Sequence, residues 1–145
     1  MADLLTLDEM RRWDLWKRAT DEVWARVGQA ITASTGLSTA DFAVLTRTVE
    51  AAAPPRQQDL ADQLGWSRSR LSRQLARMEE RGLIIRTATP TTSTVEATDR
   101  GRTATASARI AHAASVRTVL LARTPEHGEF WRSIERLAEA QPGEK

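Results

Sequence analysis

Between residues 66 and 86 the chain carries six Arg and two Glu, a local net charge of +4. Placed on a helix at about 100° per residue, Arg70, Arg73 and Arg77 fall within an arc of about 60°, with Ser69 adjoining it. Leu71, Leu75 and Met78 fall in a second arc of about 60°, which reads as the inward face. A guanidinium offers a planar fork of donors that matches guanine O6 and N7, or two phosphate oxygens. A Ser hydroxyl bonds to either, and the start of a helix adds partial positive charge facing an anion. Ser67, Arg68, Ser69, Arg70 and Arg73 are therefore candidates for reading bases or fixing register. Arg77 and Arg86 are candidates for phosphate contacts or for holding the next element in place. The plain alternative is a solvated arginine face.

What separates these readings is the framework around the arginines. Gln57 to Leu64 reads as a short helix with Leu60, Ala61 and Leu64 inward, and Gly65 breaks it. Ser67 then caps a second helix running to about Arg81, where Gly82 stops it. Two short helices joined by a Gly-containing turn form a helix-turn-helix pattern. The β-branched run Leu83 to Thr89, the turn Pro90-Thr91-Thr92-Ser93 and the returning run Thr94 to Ala97 read as a hairpin.

The rest of the chain is helical in pattern. Met10, Trp13, Trp16, Val23, Trp24, Val27 and Ile31 mark one stripe over about Asp8 to Ser34. A second helix, capped by Ser38 or Thr39, carries Phe42, Leu45 and Val49 and ends before Pro54. Thr98 caps a long helix over about Asp99 to Ala122. Thr124 at the N-cap and Pro125 at the first helical position start a last helix bearing Phe130, Ile134 and Leu137, with Trp131 and Ala138 beside them. The expected fold is mainly α with one small β-hairpin: a winged helix-turn-helix lobe over residues 37–98, an N-terminal dimerisation helix in 1–36, and C-terminal dimerisation helices in 99–145.

The run from Leu64 to Arg73, the segment Arg77-Met78-Glu79-Glu80-Arg81-Gly82-Leu83-Ile84-Ile85-Arg86, the segment Val95 to Gly101, and Gly36-Leu37-Ser38 together resemble the MarR family of transcriptional regulators. The resemblance extends over nearly the whole chain. It implies a homodimer joined through its first and last helices. It also implies two recognition helices in successive major grooves of a near-palindromic operator, with half-sites about 34 Å apart. A small aromatic or antibiotic-like effector would alter DNA affinity, most simply by releasing a repressor. One departure concerns the hairpin tip. Family wings usually carry Asp and Arg there, at positions that fall on Thr89 and Thr91, and this turn is uncharged. Either Thr91 and Thr92 bond to phosphates through hydroxyls, or the wing does not touch DNA.

Composition sets the outer bounds. The chain has 145 residues, 41% of them hydrophobic, which suits a domain with a core. With 21 basic and 19 acidic residues the net charge is only +2. The isoelectric point of 9.9 follows largely from the scarcity of groups that titrate between pH 7 and 10. Residues 99–123 carry five Arg and one Asp, so the near-neutral total hides a basic centre between acidic ends. Cys is absent, which excludes disulfides, thiolate zinc sites and, within the family resembled, peroxide sensing by cysteine oxidation. No leader pattern or membrane-length apolar run stands out, so the expectation is a soluble, cytoplasmic protein.

Four of the five Trp (Trp13, Trp16, Trp24 and Trp131) lie on the first and last helices and read as core or interface anchors; a sharper reading has Trp13 and Trp16 lining an aromatic effector pocket. Trp66, in the turn, reads as core packing. Glu79 and Glu80 read as a solvated helix end. His112 and His127 are isolated, giving no metal or general-base constellation, and neither a cofactor nor an enzymatic motif is expected. The second functional reading is a winged-helix protein-interaction module with weak or no DNA binding.

Overall fold

The structure is a computed structural model and describes residues 4–139. Six α-helices and one antiparallel hairpin follow in the order α1 (Leu7–Thr35), α2 (Thr39–Glu50), α3 (Gln57–Leu64), α4 (Arg68–Glu80), β1 (Ile84–Ala88), β2 (Ser93–Ala97), α5 (Asp99–Val119) and α6 (Glu129–Glu139), with a short 3-10 turn at Leu121–Arg123. The mainly helical winged-helix expectation is met. The chain divides into two compact units, Gly28–Ala113 and Met1–Val27 with Ala114–Lys145. Among the described residues no helix is long and apolar enough to cross a membrane.

In the Gly28–Ala113 unit, Leu45, Leu60, Leu71, Leu75, Met78 and Val95 are fully buried and bring α2, α3, α4 and the hairpin around one core. Ser38 opens α2 with a reciprocal cap: its hydroxyl accepts from Asp41 N at 3.0 Å, and its own N–H donates to Asp41 Oδ2 at 2.9 Å. The inward face of α2 is Asp41, Val44, Leu45 and Thr48. Phe42 and Val49, expected inward, are only half-buried, because Asp41 claims that side of the helix; Phe42 packs against the His112 ring at 5.4 Å.

Gly65 ends α3 with φ 64° and ψ 31°, the left-handed geometry that turns the chain sharply into α4. In the hairpin Ile84 faces Ala97 and Arg86 faces Val95. The outer edge of β2 is met by the segment before α3: Val95 N donates to Pro55 O at 3.0 Å, and Arg56 bridges to Thr94. Thr98 caps α5 as expected, its hydroxyl accepting from Gly101 N at 3.0 Å.

In the other unit the sequence reading is corrected. The long helix stops at Val119, and the last helix begins at Glu129 rather than at Thr124. Gly128 has φ 114°, so a helix cannot run through it, and its carbonyl accepts the first-turn bond from Arg132 N. Thr124 instead donates its hydroxyl to Leu120 O at 3.0 Å, and Pro125 O accepts the Trp131 indole N–H at 2.6 Å.

Candidate nucleic-acid interface

The outward face of α4 is assembled from its first residue. Ser67 occupies the N-cap, its hydroxyl accepting from Arg70 N at 3.2 Å and lying 3.3 Å from Ser69 Oγ. Ser67, Arg68, Ser69, Arg70 and Arg73 are all exposed, while Leu71, Leu75 and Met78 anchor the opposite face. Arg68 and Arg73 make no side-chain hydrogen bond or ion pair among the described residues. Arg70 is held differently: its guanidinium carbon sits 4.1 Å from the centroid of the Trp66 ring. Trp66 is thus half-buried and serves as a platform for Arg70, not as core packing. The turn sets its ring against the first turn of α4, where an arginine face is attracted to the π-cloud by about 0.5–1 kcal/mol at an exposed site.

The remaining arginines of this stretch are engaged within the fold. Arg77 donates to Gln74 Oε1 at 2.7 Å, and Gln74 Nε2 donates to Asp41 Oδ1 at 2.7 Å. Arg81 donates to Asp41 Oδ2 at 2.7 Å and to Gly36 O at 3.3 Å. Asp41, only 1% exposed, is therefore a carboxylate hub joining the start of α2 to two turns of α4. Motif reading missed this hub. The Ser-x-x-Asp spacing at residues 38 to 41 was its one visible sign; the cross-helix partners lie 33 and 40 residues away.

Arg86 grips Glu79 through Nη2 at 2.7 Å and Nε at 3.0 Å, while its backbone N–H donates to the other carboxylate oxygen at 3.1 Å. Glu79 is consequently a clasp between α4 and β1, not a solvated helix end. The hydrogen bonds from the Arg86 side chain, then from its backbone, hold the Glu79 carboxyl below its usual pKa.

The hairpin tip closes on itself: Thr89 N donates to Thr92 O at 2.7 Å, and Thr92 N donates to Thr89 Oγ1 at 3.2 Å. Thr91 and Thr92 line a cleft with Ser93, Arg56, the first residues of α3, and Arg68 from α4. The expected wing residues and the first arginine of α4 thus share one surface.

Trp13 and Trp16 are both exposed on α1, at 54% and 43%. Trp16 lines an apolar groove of about 790 Å³ with Leu15, Val23, Trp24, Phe130, Trp131 and Ile134; Trp13 is not among its lining residues, and carries Lys17 Nζ at 5.5 Å from its ring. All walls of this groove come from one unit.

Comparison with known proteins sets this geometry in a class. Residues 35–93 match the sequence model of the MarR family. AbsC, a MarR family transcriptional regulator from Streptomyces coelicolor, superposes with a TM-score of 0.85 at 22% identity over 95% of this chain and 94% of its own. Sco3205, another MarR family regulator from Streptomyces coelicolor solved in complex with DNA, gives 0.84 at 22% identity over 95% and 88%. CouR from Rhodococcus jostii RHA1, bound to p-coumaroyl-CoA, gives 0.70 at 24% identity over 90% and 93%. A search of curated protein sequences found no match.

Proposed function

We propose that the chain is a sequence-specific DNA-binding transcriptional regulator of the cytoplasm, acting as a homodimeric repressor that a small-molecule effector releases. The observation that carries this reading is the face of α4. Ser69, Arg70 and Arg73 point outward from a helix that is capped by Ser67 and locked from behind by Leu71, Leu75 and Met78. An exposed helix of that composition fits a major groove, with arginines donating to guanine edges and serines to bases or phosphates. Arg68, Thr91 and Thr92 would contact the flanking backbone. Arg77 and Arg86 act chiefly by holding α4 and the hairpin in place.

Exposed Leu7, Leu15 and Trp24 on α1 and Leu137 on α6 support a homodimer, whose partner would cover them. The groove beside Trp16 supports a small aromatic or antibiotic-like effector, and CouR shows that a protein of this fold binds an aromatic acyl ligand. Trp13 would contribute only from outside that groove.

The test is a duplex selected from a random pool, titrated with wild-type protein, Arg70→Ala and Arg73→Ala. Each substitution is expected to cost about 1–3 kcal/mol and to relax preference at one base position. Unchanged affinity and unchanged preference in both variants would refute the assignment. The uncharged hairpin tip favours one other reading, a winged-helix protein-interaction module. Absence of duplex binding by the wild type at low salt decides for it.

A further inference from the structure

One arginine outside the recognition helix opens on the cleft at the foot of the hairpin. We propose that Arg56, together with Arg68, clamps a backbone phosphate of duplex DNA there, and so supplies the cation that the hairpin tip lacks. This rests on the DNA-binding reading above.

The backbone of Arg56 is fixed from two directions. Its carbonyl accepts from Leu60 N at 3.0 Å in the first turn of α3, and the residue bridges to Thr94 on β2. The side chain is exposed, caps nothing in α3, and makes no hydrogen bond or ion pair among the described residues. It lines the cleft with Gln57, Asp59, Arg68, Thr91 and Thr92. Asp59 is the single carboxylate there, so the cleft keeps a net positive charge, surrounded by neutral donors. An oxyanion is what such a lining favours: two guanidinium groups supply charge-assisted bonds, and amide and hydroxyl groups fill the remaining positions.

The hairpin tip leaves this task open. Thr89 spends both its N–H and its hydroxyl on Thr92, which closes the turn without offering charge. A positive group for the flanking phosphate must come from beside the hairpin, and Arg56 is held there by the strand-like pairing of Pro55 and Arg56 with β2. Arg68 projects into the same space from the first turn of α4, so one phosphate bound in the cleft would tie the recognition helix and the hairpin to a common point on the backbone.

A phosphate anchor and a base reader behave differently, and the whole chain can be used to tell them apart. Affinities for the selected duplex and for an unrelated duplex are measured across a salt series with wild type, Arg56→Ala, Arg56→Lys and Arg73→Ala. Arg56→Ala is expected to weaken both duplexes by the same factor. It should also reduce the slope of log affinity against log salt by about 0.9 for each phosphate no longer neutralised, hence by about twice that for a dimer. Arg56→Lys should keep the slope. Arg73→Ala should instead narrow the gap between the two duplexes. Thermal midpoints of the Arg56 variants are expected to match the wild type. An unchanged slope in Arg56→Ala, a weakening confined to one duplex, or a lowered midpoint would each overturn the proposal while leaving the DNA-binding reading intact. A wild type that binds neither duplex would fail that reading itself.

Discussion

Arg86 reaches Glu79 with both arms of its fork and with its backbone N–H, so a single carboxylate answers three donors. This sets a pH dependence whose sign follows from the lowered Glu79 pKa. A carboxyl whose folded pKa is depressed binds protons more readily in the unfolded chain, so its stabilisation is fully present above the unfolded value of about 4.3 and is lost as pH falls through the folded value. Hairpin protection in hydrogen exchange should therefore be flat from about pH 5 to pH 7 and should drop below about pH 4. In Glu79→Gln the neutral amide cannot titrate, and the part of the drop owed to this clasp should disappear; an identical profile in wild type and Glu79→Gln would refute the clasp. At the same scale, the Trp66 ring gives the guanidinium of exposed Arg70 a π-face to rest on.

At the scale of elements, Asp41 joins α2 to α4. Asp41→Ala removes the acceptor of Gln74 and Arg81 and half of the reciprocal cap at Ser38. Arg81 is 44% exposed and can turn to water, but buried Gln74 cannot, so the expected loss is about 2–3 kcal/mol of unfolding free energy. Chemical denaturation measures it, and a change below about 0.5 kcal/mol would show that the hub is incidental. The same contrast explains what could be read along the chain beforehand. Element order, the Gly65 turn, the Ser38, Ser67 and Thr98 caps and the α4 faces are all encoded within a turn or two of sequence. The Asp41 hub, the Glu79 clasp and the Trp66 platform depend on which neighbours the fold brings together. The last helix was misplaced because Thr-Pro-Glu is a strong start signal, and Gly128 three residues after the Pro overrode it. For the site, the arginine row on α4 was legible, but the division of its arginines between free groups and internal partners was not.

At the scale of the whole molecule, the described chain leaves large apolar side chains in water. Trp24 is 73% exposed and Leu15 61%, more than an isolated soluble chain usually tolerates in one neighbourhood. Light scattering should give twice the 16.1 kDa chain mass, and Trp24→Glu should shift it to the monomer and lower operator affinity by losing the second recognition helix. A monomeric wild type at micromolar concentration would refute the homodimer. Charge matters at this scale too. Of the six arginines between residues 66 and 86, Arg81 and Arg86 are paired with carboxylates and Arg77 donates to the neutral Gln74, which leaves the charges of Arg68, Arg70, Arg73 and Arg77 uncompensated by an ion pair among the described residues.

The Glu79 clasp has one more effect. Because Val95 N turns away from β1 to Pro55, the paired Arg86 N–H turns away from β2 and lies on the open edge of the hairpin. Glu79 occupies that donor. A strand with a bare edge invites another chain to add itself by backbone pairing, and a carboxylate seated on the edge blocks the docking of a foreign strand. The ion pair that positions the hairpin thus also guards the protein against edge-to-edge aggregation, and that guard weakens in acid together with the clasp.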